Sequence, residues 1–263
     1  MATTAPNANL PLFYSGLVPL NANQHGKMKL RRIDSSKEMG KTHAIPATVD
    51  EFSLLARHYP IVFSVGETPV PLALMGLTEG TNTLLDDEGR PRNPELYLPA
   101  YMRRYPFMLA RLRPDTDELT LCFDPESGAV GDQEEGEPLF DGDQPTETTT
   151  SILQFCEQFE QAGQRTNAFM QDLKSSGLLM DGEVAIQAQG NEQPFIYRGF
   201  QMIDEEKFRE VRGDELRKMN QNGMLPLIFA HLFSLSQIRD LFSRQVQQGK
   251  GPIPARNAAP AEA

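Results

Sequence analysis

The sequence predicts an α+β fold: a mixed or antiparallel sheet from two related αββ units, followed by a C-terminal helical portion. A recurring motif carries the first part of that expectation. Arg57-His58-Tyr59-Pro60-Ile61-Val62-Phe63 is matched, 46 residues on, by Arg103-Arg104-Tyr105-Pro106-Phe107-Met108-Leu109. Each time a Tyr-Pro junction separates a helix-like stretch from an apolar run, and the residue before proline avoids the α region, so the helix stops there. The helical portion is expected from Ile152, Phe155, Phe159, Ala162, Thr166, Phe169 and Leu173, which recur at steps of three or four and mark one core-facing stripe.

In chain order, residues 1–9 read as a flexible start. Leu10-Pro11-Leu12-Phe13-Tyr14 and Val18-Pro19-Leu20 read as extended chain laid over a core, because proline disfavours helix. A turn is expected over 21–28. Met28-Lys29-Leu30-Arg31-Arg32-Ile33 alternates apolar and basic residues, as a half-buried strand does. Thr48 and Glu51 have capping-box spacing, and a helix carrying Phe52, Leu55, Ala56 and Tyr59 follows. Strands are expected over 61–65 and 70–77, joined by a turn over 66–69. The second unit repeats the plan: a helix within 93–104 with Pro99 in its first turn, strands over 107–112 and 119–123, and a turn over 114–118. Aligned without a gap, Ala73, Met75 and Leu77 fall on Leu119, Leu121 and Phe123.

Residues 124–150 form an acidic loop, long enough to be functional or disordered, with Leu139-Phe140 as an apolar pair able to anchor it. A helix over 151–176 ends at Gly177. Strands over 183–189 and 195–203 flank Gln189-Gly190-Asn191-Glu192. Asp204 is the expected N-cap of a short helix. Helices over 213–222 and 224–248 follow, the first capped by Gly223. The Pro- and Ala-rich tail 249–263 reads as disordered. Together these make one domain, 10–248, with possible sub-units 44–78, 93–124 and 150–248.

Composition narrows the function classes. The 263 residues carry 39% hydrophobic and 23% charged side chains, a globular balance. A formal charge of −11 disfavours a nucleic-acid partner, which needs clustered Lys and Arg. No apolar run reaches the roughly 18–20 residues of a membrane span, and the N-terminus lacks secretory-signal architecture, so a cytoplasmic location is expected. Cys122 and Cys156 supply neither a disulfide framework nor zinc spacing and read as buried thiols. Charge is uneven: Lys27, Lys29, Arg31, Arg32, Lys37 and Lys41 cluster in one segment, whereas residues 124–147 hold nine carboxylates and no base. The two segments are either solvated or meet each other or opposite partners.

No phosphate loop, dinucleotide fingerprint, nucleophile elbow or His-Glu-x-x-His helix is present, so no catalytic residue, cofactor or metal is assigned. His25 and His43 lack a carboxylate at metal-triad spacing; His231 on its apolar helix reads as a hydrogen-bonded histidine. In the acidic loop Glu134, Glu135, Glu137, Asp141 and Asp143 could form an acid pair or a cation site, with Glu135, Glu137 and Asp141 the leading candidates. They lack the EF-hand ladder. The sharper candidates for ligand or partner binding are Arg57, Tyr59, Tyr101, Arg103, Arg104 and Tyr105. Arg57 and Arg103 sit where a helix dipole favours a cation; alternatively the two junctions line one groove, with Arg and Tyr suited to recognising carboxylates and proteins.

Several stretches, in order, resemble the SapC family of bacterial proteins. They include Asn9-Leu10-Pro11-Leu12-Phe13-Tyr14, Tyr59-Pro60-Ile61-Val62-Phe63, Pro99-Ala100-Tyr101-Met102-Arg103-Arg104-Tyr105-Pro106-Phe107 and Glu135-Gly136-Glu137-Pro138-Leu139-Phe140-Asp141. Gly199-Phe200-Gln201-Met202-Ile203-Asp204-Glu205-Glu206-Lys207 and Ala230-His231-Leu232-Phe233-Ser234-Leu235 close the series. The resemblance implies no established enzymatic activity and carries over no catalytic residue. The family name implies a link to S-layer biology. Similar proteins are labelled peptide-transporter permeases, which the want of a membrane span argues against. Genes of that family are often neighbours of genes resembling flavin-dependent tryptophan halogenases, cupin-like oxygenases and TonB-dependent receptors, so the resemblance implies an accessory role in nutrient uptake or modification with a halogenase-like or cupin-like partner. The leading expectation is therefore a soluble, non-enzymatic accessory protein that binds a protein partner or small ligand. The rivals are a metal-dependent oxygenase or hydrolase, using His25, His43 or the acidic loop, and an S-layer or surface-associated component.

Overall fold

A computed structural model describes residues 10–31, 37–113, 115–187 and 194–251. The expected flexible start, Arg32-Ile33 of the basic strand, Pro114 of the second hairpin turn, residues 189–192 of the later turn, and the tail from 252 onward lie outside these. The fold is α+β, and every strand pairing among the described residues is antiparallel.

The main sheet has five strands in the order Leu179–Asp181, Gln201–Ile203, Ile61–Phe63, Pro71–Leu74, Ala44–Pro46. Its central strand is buried at all positions, which is why Ile61-Val62-Phe63 is apolar without alternation. The helix Met224–Ser234 packs against it, and Phe169 of the long helix Glu147–Ser175 meets both Phe52 and Phe63. His231 closes a gap in this sheet. The strands Ile61–Phe63 and Gln201–Ile203 pair only at Gln201 and Phe63. Beyond that point His231 Nδ1 donates to Ile61 O at 2.8 Å while its Nε2 accepts from Ile203 N at 3.1 Å. One turn later, Ser234 Oγ accepts from Ile61 N at 2.8 Å. A helix thus supplies partners that a strand would otherwise give.

Both expected αββ units fold as helix, strand, strand, but they join different sheets. The second hairpin, Phe107–Arg111 with Leu119–Phe123, lies in a three-stranded sheet beside Val18–Pro19. The gap-free alignment of the second strands does not carry into the pairing. Ile61 faces Ala73, whereas Phe107 faces Phe123 and not Leu119. The second hairpin reaches four residues further; that even shift keeps each side chain on the same face, since strand side chains alternate. The Tyr105–Pro106 peptide is cis.

The basic and acidic segments meet. Lys29–Leu30 lies between Val130–Gly131 and Glu137–Pro138 in a further three-stranded sheet, and Lys29 Nζ donates to Glu134 O at 2.6 Å. Leu139 is fully buried in a second, smaller core with Phe107, Leu109, Phe123, Val130 and Cys156. The acidic segment is therefore fastened down by its apolar anchor.

Four local expectations are corrected. Thr48 and Glu51 form no capping box: Thr48 Oγ1 donates to Glu51 Oε2 at 3.0 Å, and neither caps the following turn. The strand expected over 195–203 breaks at Gly199, whose φ of 90° turns the chain from Phe195–Tyr197 into Gln201–Ile203. The last helix is two, Met224–Ser234 and Gln237–Gln247. Between them the Ser234 and Ser236 hydroxyls bond the carbonyls of His231 and Phe233, competing with the helical ladder. The long helix starts at Glu147, with Thr146 as N-cap, so the acidic segment ends earlier than its sequence suggests. The Asp204 cap is as expected, accepting from Lys207 N at 3.1 Å.

Candidate functional site

The second junction surrounds a cavity of about 520 Å³. It opens between the two cores. Leu98, Met102, Phe107, Ile152, Phe155 and Cys156 give it an apolar wall, while Arg103, Arg104, Tyr105 and Ser151 add polar groups. Ile152 and Phe155 belong to the apolar stripe of the long helix. That stripe runs from the main core, at Phe169 and Leu173, out to the cavity.

Arg104 follows directly on the short helix Ala100–Arg103. Its side chain is only 6% exposed. The guanidinium carbon lies 4.3 Å from the ring centre of Phe159, 4.5 Å from Tyr101 and 5.8 Å from Tyr14. Aromatic faces stabilise a desolvated cation through their quadrupoles. Its one carboxylate neighbour among the described residues, Glu160, has Oε1 3.8 Å from Nη1, too far for a hydrogen bond. Arg104 Nε is buried with no hydrogen-bond partner. Burial pushes the Glu160 carboxyl above its ordinary value, and Arg104 only partly opposes that.

The neighbours are satisfied, which isolates Arg104. Arg103 stacks between Tyr97 and Phe155, and donates to Leu98 O at 3.0 Å and to the Tyr97 hydroxyl at 2.9 Å. Tyr97 in turn donates to Glu51 Oε1 at 2.8 Å, the atom that also accepts the backbone N–H of Ala100. Glu51 is thus a buried bracket holding the Ala100–Arg103 turn. Tyr105 donates to Asp124 Oδ2 at 3.4 Å, and burial together with that carboxylate pushes its pKa up to about 12. Tyr14 donates to Phe107 O at 2.8 Å. Burial pushes the Cys156 thiol up to about 12, so it stays protonated and is no nucleophile at neutral pH.

The candidate residues divide. Arg103, Arg104 and Tyr105 line the cavity, and Tyr101 lies under Arg104 with its hydroxyl donating to Leu12 O at 3.4 Å. Tyr59 does not face it. It is fully buried in the main core, donating to Tyr97 O. Arg57 lines a separate cavity. The two junctions therefore share no groove, because their hairpins belong to different sheets. Glu135, Glu137 and Asp141 are exposed; Glu137 accepts from Thr148 Oγ1 at 2.6 Å, and none of the three lines the cavity. His25 is buried, accepting from Asn21 N at 3.2 Å. Among the described residues no three or more His, Cys, Asp or Glu are placed to hold a metal ion, and no helix is long and apolar enough to cross a membrane.

Sequence reasoning missed Glu51, Tyr14, Tyr97 and Glu160. Glu51 carried a signal, but its spacing from Thr48 pointed to a local cap. Glu160 sits beside Phe159 at the edge of the apolar stripe, and nothing local separates it from the other acids of that helix.

The sequence profile of the SapC family matches residues 20–241. No curated protein matches the chain, and no solved structure does.

Proposed function

The chain belongs to the SapC family, and we propose that this member is a non-enzymatic accessory protein binding a small ligand with an anionic head and an apolar body. Arg104 carries the reading: a buried guanidinium whose Nε has no partner and whose nearest carboxylate stands off at 3.8 Å. An unpaired buried donor costs about 1–3 kcal/mol, and a desolvated cation needs a partner. A carboxylate or sulfonate in the cavity would supply both, through the planar fork that makes Arg suited to such groups. Leu98, Met102, Phe107, Ile152 and Phe155 give the cavity a largely apolar wall, and its volume falls in the range of small-molecule sites, roughly 300–1,000 Å³. The protonated Cys156 and the hydrogen-bonded Tyr105 offer binding surface and no activated nucleophile.

Native mass spectrometry of the protein purified from its own cells tests this. The reading expects a retained small molecule that is lost in Arg104→Met. A mass equal to that of the bare chain, together with no binding of added organic acids, would remove the proposal.

A further inference from the structure

A second cavity, about 310 Å³, lies away from Arg104 and has a different chemistry. Arg57, Arg92 and Arg244 all line it, drawn from the first junction, the loop that follows Gly89, and the helix Gln237–Gln247. No carboxylate lines it. Arg92 donates Nε to Leu85 O at 3.0 Å. Among the described residues none of the three arginines has a carboxylate within ion-pair distance. Asp86, not itself a lining residue, is turned to the backbone N–H groups of Glu88 and Arg90. In a chain of net charge −11, three arginines around one small cavity make a local field of the opposite sign.

Gln248 adds an independent mark. Its Nε2 donates to Thr83 O at 2.9 Å, and a carbonyl can only accept, so the amide orientation is fixed. That leaves Oε1, which is buried with no partner, in need of a donor.

We infer that this cavity binds a small organic phosphate carrying a hydroxyl beside its phosphoryl group. Several guanidinium forks suit a dianion with three terminal oxygens better than a single carboxylate. The hydroxyl meets Gln248 Oε1. This site is separate from the Arg104 cavity, and neither reading depends on the other.

Calorimetric titration at constant ionic strength in chloride tests it with inorganic phosphate and glycerol 3-phosphate. Both are expected to bind one site per chain, glycerol 3-phosphate about fivefold more tightly, as one added hydrogen bond gives. Arg57→Ala combined with Arg244→Ala should weaken both by about tenfold or more. Both side chains are exposed, so the fold persists, as an unchanged melting temperature would verify. Gln248→Leu should erase the preference and keep phosphate binding. Heats no larger than dilution for both probes, or unchanged binding in the double arginine variant, would overturn the inference; equal affinity for the two probes would overturn the hydroxyl contact.

Discussion

Arg104 Nη1 lies 3.8 Å from Glu160 Oε1: a buried guanidinium and a partly exposed carboxylate face each other without a hydrogen bond. The arrangement leaves room for a third group. A ligand anion would take the guanidinium edge that Glu160 does not reach.

Glu160 should therefore compete with that anion. Glu160→Gln keeps the volume and removes the charge, so a sulfonate such as octanesulfonate is expected to bind about threefold more tightly, the scale of one half-exposed charge. Acid should act in the same direction. The Glu160 pKa is raised by burial, so falling pH neutralises it ahead of ordinary carboxylates while the sulfonate stays ionised. Titrations at pH 7 and pH 5 check this; weaker binding at pH 5 would contradict it.

His231 should make the fold acid-sensitive. Burial lowers its pKa to about 4, against about 6.5 in an unfolded chain. Between those values the unfolded chain takes up a proton that the folded one excludes. Stability from this group is complete above pH ~6.5 and is lost as the pH falls toward 4, roughly 3 kcal/mol in all. Urea unfolding of the wild type and His231→Gln checks this: the variant should be less stable at pH 7 and lose less between pH 7 and pH 4.5.

Glu51→Ala removes acceptors from Ala100 N–H and the Tyr97 hydroxyl at once. With buried donors orphaned, a loss of about 2–4 kcal/mol in unfolding free energy is expected. Because the Ala100–Arg103 turn positions Arg104, ligand affinity should fall too. Wild-type affinity in a folded Glu51→Ala protein would show that the bracket does not position the site.

Leu139→Ala tests the anchoring of the acidic segment. The side chain is fully buried, so about 2–5 kcal/mol should be lost. Hydrogen exchange should quicken along 129–146, which a merely local cavity would leave slow.

Much of the backbone plan was legible because proline, glycine and apolar runs act locally. The helices Phe52–Leu55 and Ala100–Arg103 both stop short of the prolines that follow them, Pro60 and Pro106, Asp204 caps its helix, and Ile61-Val62-Phe63 reads as a strand. What stayed hidden depends on packing between distant segments. The four-residue difference between hairpins sits in loop length, which motif matching ignores. The split at Gly199 follows from which strands each half pairs with. Arg57 and Arg103 occupy equivalent places in the repeat yet line different cavities, because sheet membership separates them. Of the site, the Arg104-Tyr105 pair was visible as a motif; its depth and its loose pairing with Glu160 arise only where the long helix crosses the second unit.

The proposed ligand is anionic and largely apolar, with Arg104 as its anchor. Isothermal titration of wild type and Arg104→Met with decanoate and phenylacetate decides whether it is so. One site per chain is expected in the wild type, weakened about tenfold or more in a variant that melts no lower, since a buried charge replaced by an apolar chain need not cost stability. Equal affinity in the two proteins, or no binding of either acid to the wild type, would contradict it.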